Sequence, residues 1–365
     1  MSNLFLRHAK SIFLKSEPIQ LTLFLTNRCN AHCRHCFYSN GGQDISKKEL
    51  SVNDYHKISS SVGRLLWLAF SGGEIFLRDD IAQIVNLFYR ANNPGIILLP
   101  TNGLDTQVIR ANVERIVREC PESVVVVKLS LDGPKDVNDS LRGVKGAFGK
   151  TMETYKSLYK LFGEYDNFEL GFNSVFCAST QDSMPWLCSF IKNLDDKTTH
   201  TVSLIRGDIP DDDEKNIDIE KYKKTIATLT AGLKDGSSKI FNFNLSRLKA
   251  AQDIVQGRLI CDLISKKRSV IPCLAGRLTL TLTETGDVYP CESFDARLGN
   301  IHETGHDLRK LLTTDLAKEV IARITSSRCR CTHECYMIMN ILFNPYMYPS
   351  LIKQYAHILF KRAWP

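Results

Sequence analysis

Residues 124–131 have the sequence VVVVKLSL and are followed by Asp132-Gly133. The unbroken apolar start indicates a strand that is buried on both faces, as strands of parallel sheets are. Five further runs rich in β-branched, aromatic and aliphatic residues are predicted strands, namely residues 19–26, 65–71, 95–101, 168–176 and 201–206. The segments between them are long enough for crossover helices. The alternation therefore predicts an α/β fold, either an open parallel sheet or a partial (β/α)6 TIM-like barrel.

Polar and small residues follow most of these predicted strands. Gly72-Gly73-Glu74, Asn102-Gly103 and Asp132-Gly133 come directly after three of them. In parallel α/β folds, ligands bind at the carboxyl edge of the strands. The sequence therefore predicts a binding site where these residues meet at one mouth.

The composition of the 365 residues is that of a globular protein, with 43% hydrophobic and 24% charged residues. It excludes long disordered, collagen-like and coiled-coil chains. No apolar run reaches the roughly 18 residues that a membrane span needs. The net charge of +7 is spread along the chain, so we expect no nucleic-acid partner.

The twelve cysteines are the unusual feature of the composition. Residues 1–20 lack a secretory signal, which predicts a cytoplasmic protein without a disulfide framework. Two sets can be distinguished by spacing: the first cysteine group is Cys29, Cys33 and Cys36, and the late cysteines are Cys273, Cys291, Cys329, Cys331 and Cys335. The four remaining cysteines have no spaced partners and are predicted to be buried as small hydrophobic residues.

The first cysteine group follows the first predicted strand with the spacing Cys-x3-Cys-x2-Cys. Three thiolates on one short loop can ligate three irons of a [4Fe–4S] cluster, because each iron takes one terminal ligand. The fourth iron is then open to another ligand. A zinc site is the alternative, but zinc prefers four protein ligands and Cys-x2-Cys pairs.

This loop resembles that of the radical S-adenosylmethionine (SAM) superfamily, in which an aromatic residue, here Phe37, lies beside the last cysteine. Gly72-Gly73-Glu74 matches the Gly-Gly-Glu motif of that family. Glycine lets the backbone approach the methionyl group, and the carboxylate accepts from the SAM ammonium. The resemblance covers residues 21–208 and implies reductive cleavage of SAM to a 5′-deoxyadenosyl radical that abstracts hydrogen from a substrate.

Ser130 and Arg142 match two SAM-contacting positions of a subgroup that includes sulfatase-maturing and peptide-modifying members. The planar guanidinium of Arg142 suits the methionyl carboxylate, whereas the alternative is a turn serine and a surface arginine. Asn173, in the fifth strand, either binds ribose or is a satisfied polar residue inside the barrel. Near the sixth strand, Arg206 either faces the substrate or forms an ion pair with Asp208, and the ion pair is favoured.

The late cysteines surround a predicted hairpin at residues 278–290. Their context resembles the opening of a SPASM or twitch extension, which binds auxiliary clusters beside the barrel mouth. The resemblance implies one auxiliary [4Fe–4S] cluster, whose ligands are Cys273, Cys291, Cys335 and either Cys329 or Cys331. The match is partial, because a full SPASM domain has seven cysteines, and zinc is the alternative on ligand count.

The predicted organisation has five parts. An amphipathic segment (1–18) precedes the barrel (19–210), a helical bridge (211–258) ends near Gly257, a cysteine-rich hairpin and helix extension follows (259–338), and a helical tail (339–365) closes the chain. The two ends mix apolar and basic residues. They either contact a membrane surface or pack against the rest of the protein, and packing is the favoured interpretation.

Three functions fit these features. The first is a radical SAM enzyme acting on a small metabolite, sugar or lipid-linked precursor, with the auxiliary cluster accepting an electron in an oxidation or in carbon–carbon or carbon–sulfur bond formation. The second is a peptide maturase with a separate leader-binding partner. The third is a non-catalytic zinc-binding module. The two enzyme hypotheses imply an electron donor such as flavodoxin or ferredoxin.

Overall fold

Strands connected by helices form the first half of the chain in a computed structural model that describes residues 6–38, 48–267, 271–293, 295–326 and 331–363. The strands are β1 (Gln20–Phe24), β2 (Trp67–Ser71), β3 (Ile96–Thr101), β4 (Val124–Ser130), β5 (Phe168–Phe176), β6 (Thr199–Leu204), β7 (Thr279–Leu282), β8 (Asp287–Tyr289) and β9 (Gly299–Asn300). The helices are α1 (Val52–Ser61), α2 (Ile81–Asn92), α3 (Thr106–Glu119), α4 (Lys135–Arg142), α5 (Ala147–Tyr159), α6 (Met184–Lys192), α7 (Ile219–Asp235), α8 (Ser246–Lys266), α9 (Leu308–Leu312), α10 (Asp315–Ser326), α11 (Glu334–Leu342) and α12 (Tyr348–Ala363).

The strands of the described residues form one sheet in the order β6-β5-β4-β3-β2-β1-β7-β8-β9. All neighbouring pairs from β6 to β7 are parallel, and β8 and β9 continue the sheet with antiparallel pairing. The six predicted strands of the barrel are all present. The prediction of an α/β fold with a parallel sheet is therefore confirmed.

The valine run of β4 is buried on both faces, as its sequence predicts. Val125 and Val127 belong to the large core between the sheet and its flanking helices. Val124 and Val126 belong to a second core cluster on the opposite face, together with Trp67 of β2. Because side chains alternate along a strand, a continuous apolar run serves both layers at once.

The predicted hairpin is also present, but it joins the barrel rather than standing apart. β7 pairs in parallel with β1, with Gln20 opposite Thr279 and Leu23 opposite Leu282. β7 and β8 then form the antiparallel hairpin. The cysteine-bearing hairpin therefore extends the same sheet that forms the barrel, which its sequence did not indicate.

The prediction that a bridging helix ends at Gly257 is wrong. Two helices occupy this region, and α8 continues through Gly257 to Lys266. A Cβ atom at residue 257 would lie 2.7 Å from Cγ2 of Ile226 on α7. Glycine at this position therefore permits close packing of α8 against α7 and does not terminate the helix.

The carboxyl-terminal helix α12 packs along α8 with one face. Leu351 and Ile358 are buried, whereas Ile352 and Phe360 are exposed. Within the described ranges, no helix combines the length and the apolar character that crossing a membrane requires.

Candidate active site

A cavity of about 240 Å³ lies at the carboxyl ends of the barrel strands. All of the site residues predicted within the barrel line this cavity. They are Cys29, Cys33, Cys36, Gly72, Gly73, Glu74, Ser130, Arg142 and Asn173. The structure therefore brings together residues that lie on five different segments of the sequence.

The loop that carries the first cysteine group is tied to the end of α4. The backbone N–H of His32 donates to the carbonyl of Arg142 at 3.0 Å, and that of Arg34 donates to the carbonyl of Leu141 at 3.0 Å. Within the loop, the N–H of Cys36 donates to the carbonyl of Cys33 at 3.2 Å. These bonds hold three thiols at one wall of the cavity without any regular secondary structure.

The three thiols influence each other electrostatically. Burial raises the pKa of Cys33 to about 11, Arg142 opposes this shift, and the thiols of Cys36 and Cys29 add to it. Burial also raises the pKa of Cys29. The free thiols of Cys29 and Cys33 are therefore protonated at neutral pH, and binding of a metal would release their protons.

This donor set fits a cluster that needs three thiolate ligands and leaves one iron open. The thiols share one cavity with carboxylate, guanidinium and amide groups. Among the residues that the structure describes, no three His, Cys, Asp or Glu side chains are grouped around the position of a single metal ion.

Gly72 and Gly73 allow the end of β2 to lie against the segment that leads into the cysteine loop. Gly72 has φ +117°, and a Cβ there would lie 2.4 Å from the carbonyl oxygen of Thr26. A Cβ at residue 73 would lie 2.0 Å from the carbonyl oxygen of Arg28. Because backbone atoms cannot move aside as a side chain can, both positions require glycine.

Glu74 is buried at the same place and connects β2 with β3. Its Oε1 accepts from the N–H of Phe76 at 3.1 Å and from the Thr101 hydroxyl at 2.9 Å, and its Oε2 accepts from the N–H of Asn102 at 2.8 Å. Burial raises the pKa of Glu74 to about 7, although these hydrogen bonds lower it. An ionised carboxylate has about four acceptor sites, so capacity remains for one more donor.

Arg142 is buried and not a surface residue. Its Nη2 donates to Oδ2 of Asp132 at 2.6 Å, and Asp132 is fully buried. The Nε–H of Arg142 has no hydrogen-bond partner among the described residues. One edge of the guanidinium is thus fixed by Asp132, and an unused donor remains.

Ser130 and Asn173 are register neighbours on β4 and β5. The side-chain oxygen of Asn173 accepts from the hydroxyls of Thr201 at 3.0 Å and Ser203 at 3.1 Å. The side-chain oxygen of Asn173 therefore has hydrogen-bond partners within the barrel, and the residue also forms part of the cavity wall.

Asn102, which the sequence places directly after a predicted strand without a role of its own, also lines the site. Its Nδ2 donates to the side-chain oxygen of Asn30 at 2.7 Å and lies 3.9 Å from Sγ of Cys29. Its backbone N–H holds Glu74. Its place directly after β3, at the carboxyl edge, identified its location from the sequence, whereas its contacts with Glu74 and Cys29 follow only from the structure.

The favoured ion pair between Arg206 and Asp208 is wrong. Nη1 of Arg206 lies 3.0 Å from Oε2 of Glu334 at the start of α11, and Asp208 is exposed. The guanidinium carbon also lies 5.6 Å from the ring centre of Phe37. Arg206 therefore connects the first cysteine loop with the helix that carries Cys335.

The late cysteines come from separate elements. Cys273 precedes β7, Cys291 follows β8, Cys331 precedes α11, and Cys335 lies in the first turn of α11, whereas Cys329 falls outside the described residues. The N–H of His333 lies 3.3 Å from Sγ of Cys331. The pKa of Cys335 is raised to about 12 by burial and by Glu292.

Among the unassigned cysteines, Cys120 and Cys177 are fully buried and Cys188 and Cys261 are partly buried. The prediction that Cys120 and Cys177 act as core residues is therefore confirmed.

A second cavity, of about 300 Å³, fills the barrel interior below the first. Both cavities are lined by Phe37, Ser71, Pro100, Ser130, Asn173, Ser203 and Arg206. The interior cavity has apolar walls that include Trp67, Leu98 and Val126, and Cys335 also lines it. The cavity that holds the first cysteine group is thus adjacent to an apolar chamber that reaches a late cysteine.

No family model matches the chain. The mycofactocin maturase MftC of Mycobacterium ulcerans is 33% identical over 144 residues, which are 39% of this chain and 36% of MftC. The antilisterial bacteriocin subtilosin biosynthesis protein AlbA of Bacillus subtilis is 28% identical over 144 residues, which are 39% of this chain and 30% of AlbA. The chain thus spans about a third of the length of these curated relatives.

Among solved structures, SuiB of Streptococcus suis bound to SAM has a TM-score of 0.59 at 16% identity, over 87% of this chain and 70% of SuiB. This likeness supports the fold alone. The homologues are radical SAM enzymes, which agrees with the resemblance of the cysteine loop and the Gly-Gly-Glu motif. SuiB binds SAM in the solved structure.

Proposed function

We propose that this chain is a radical SAM enzyme that modifies a peptide. The supporting observation is the single cavity that combines three thiols with the Gly72-Gly73-Glu74 turn and Arg142. The thiols match a cluster with one open iron, and the polar groups match the amine and carboxylate of a methionyl group.

In this proposal, different residues of the cavity bind the cluster and the methionyl group of SAM. The first cysteine group holds three irons, and the glycines keep the backbone free of side chains beside the methionyl group. Glu74 accepts from the ammonium with its remaining acceptor capacity, and Arg142 donates to the carboxylate while Asp132 keeps the guanidinium in place. Ser130 and Asn173 contribute further polar groups to the cavity wall.

The late cysteines are proposed to hold one auxiliary cluster, with Cys273, Cys291 and Cys335 as ligands and Cys331 or Cys329 as the fourth. When bound and reduced by one electron from an external donor, the first cluster and SAM would supply a 5′-deoxyadenosyl radical for hydrogen abstraction, and the auxiliary cluster would accept the electron lost by the substrate radical. The apolar walls of the interior cavity exclude water from the place where the substrate would react.

A peptide substrate is supported by the proteins that this chain is similar to. MftC is a maturase, AlbA serves bacteriocin biosynthesis, and SuiB has been solved with its precursor peptide SuiA. The interior volume of about 300 Å³ lies at the lower end of small-molecule sites. This volume fits one peptide side chain. It would also fit a small metabolite, which is therefore the second candidate substrate.

Quantification of iron, sulfide and 5′-deoxyadenosine under anaerobic conditions tests the proposal. We expect about eight irons in the wild-type chain and about four in the Cys29/Cys33/Cys36→Ala triple variant. Incubation with SAM and dithionite should yield 5′-deoxyadenosine from the wild type and none from the triple variant. Cys120→Ala, which removes a buried cysteine that does not line the cavity, is the matched control and should retain the iron content and the 5′-deoxyadenosine formation of the wild type. Wild-type protein that contains zinc in place of iron would overturn the proposal.

A further inference from the structure

Lys128 of β4 lies inside the barrel with only 7% of its surface exposed. Its register neighbour on β5 is Gly171, whose own neighbour on β6 is Thr199. The Lys128 side chain crosses over Gly171, and its Nζ donates to the Thr199 hydroxyl at 2.9 Å. A Cβ at residue 171 would lie 2.4 Å from this Nζ. The sheet therefore contains a gap that accommodates the lysine.

The ammonium of Lys128 retains unused hydrogen-bonding capacity. An ammonium has three donors, and in the described part of the chain the Thr199 hydroxyl is the one acceptor that Nζ reaches. No carboxylate of the described residues lies within 4.0 Å of Nζ, whereas the ring of Phe241 is centred 5.2 Å away. Burying a cation without a counter-ion is costly, and burial lowers the pKa of Lys128 to about 7.

The nearby charged groups have partners of their own. Lys249 is hydrogen-bonded to Asp253, and the Glu169 carboxylate accepts from the backbone N–H of Asn242 at 2.5 Å. Lys249 lowers the pKa of Lys128 further, whereas Asp253 and Glu169 raise it. Lys128 is therefore the buried cation of this cavity that lacks an anion in direct contact.

The position of Lys128 relates it to the proposed reaction site. It lines the interior cavity and lies two residues before Ser130, which corresponds to roughly 6.6 Å along a parallel strand. Trp67, Leu98 and Val126 form apolar walls around the same cavity. A ligand here would place an anionic group on Lys128, beside an apolar body.

We propose that Lys128 binds a carboxylate of the substrate inside the barrel. This inference rests on the proposed function, which places the reacting substrate in the interior cavity. One ammonium and the Thr199 hydroxyl suit a singly charged carboxylate. A phosphate dianion would leave one negative charge unbalanced in an apolar cavity. In a peptide substrate, the carboxylate belongs either to an acidic side chain or to the carboxyl terminus.

Calorimetric titration of the anaerobically reconstituted full chain with phenylacetate and its neutral isostere phenylacetamide tests the proposal. The wild type should bind phenylacetate at least tenfold more tightly than phenylacetamide at pH 7.5. The complex should take up protons, because a carboxylate contact raises the pKa of Lys128. Lys128→Met should bind the two compounds equally. Lys239→Met, which alters another lysine that lines this cavity, should keep the tenfold preference.

Equal affinities in the wild type, an undiminished preference in Lys128→Met, or no binding of phenylacetate at millimolar concentration would each overturn the proposal. A melting temperature of Lys128→Met at or above the wild-type value establishes that this variant folds. The titration requires no turnover. Wild-type protein that binds phenylacetate selectively but yields no 5′-deoxyadenosine would refute the proposed function and leave the carboxylate site intact.

Discussion

The two cysteine regions differ in how their cysteines are distributed along the chain and over the fold. The first cysteine group spans eight residues of one loop, anchored between β1 and α4. The late cysteines of the described residues are distributed over the segment before β7, the segment after β8, the segment before α11 and the first turn of α11. In the first region the three cysteines lie on one loop of the chain, whereas a common site of the late cysteines would depend on tertiary packing.

Both regions nevertheless place an arginine beside their thiols and fix it with a carboxylate. Arg142 is held by Asp132 at 2.6 Å and lowers the pKa of Cys33. Arg206 is held by Glu334 at 3.0 Å and lowers the pKa of Cys335. The first pair is the more deeply buried, since the Asp132 side chain is fully inaccessible and that of Glu334 is 16% exposed. An arginine that is held by a carboxylate thus lies beside a cysteine in both regions, in a buried pair in the first and in a partly exposed pair in the second.

Neutralising the carboxylate of each arginine–carboxylate pair should give the largest loss of stability among these predictions. The size of the loss should differ between the two cysteine regions. Asp132→Asn leaves Arg142 buried without its counter-ion, and we expect a loss of about 3–5 kcal/mol in the free energy of unfolding. Glu334→Gln affects a partly solvated pair, and we expect a loss of about 1 kcal/mol. Urea unfolding measures both. Equal losses would mean that the two arginines are held with similar strength, contrary to the difference in burial.

A substitution in the Gly72-Gly73-Glu74 turn should destabilise the first cysteine region, but by less than Asp132→Asn does. Gly73→Ala forces a Cβ against the carbonyl oxygen of Arg28, and we expect a loss of about 1–3 kcal/mol. In Gly149→Ala, within α5, the new Cβ would meet no atom within 4 Å, so a gain of about 0.5–1 kcal/mol is expected. Urea unfolding and iron content measure the result. Wild-type stability and iron in Gly73→Ala would show that the backbone contact can relax.

The smallest expected effect is the pH dependence of the free energy of unfolding that Lys128 causes. Because Lys128 lies outside both cysteine regions, this effect serves as a reference for the changes made within them. The folded protein loses this proton near pH 7, whereas the unfolded chain keeps it to about pH 10.4. Between these values the unfolded state binds more protons, so the stability of the wild type rises with pH. Relative to Lys128→Met, we expect a rise of about 1 kcal/mol from pH 7 to pH 8. A constant difference across this range would show that Lys128 stays charged in the fold.

Much of the barrel and of its mouth was predictable, because the relevant signals are local. The valines of β4 fill two core layers, and the first cysteine group and Gly72-Gly73-Glu74 each lie within a few consecutive residues. The partner of Arg206 was not predictable, because Glu334 follows it by 128 residues. The gap at Gly171 has a meaning only once the register of β4, β5 and β6 is known.

The parallel pairing of β7 with β1 has a mechanical consequence. The loop of the first cysteine group leaves the carboxyl end of β1, and the hairpin leading to Cys291 begins with β7. A ladder of backbone hydrogen bonds therefore acts as a rigid spacer between the two regions. Surface residues can be substituted without changing the distance between the two cysteine regions. The rate of a step that depends steeply on this distance, such as electron transfer, would therefore be preserved.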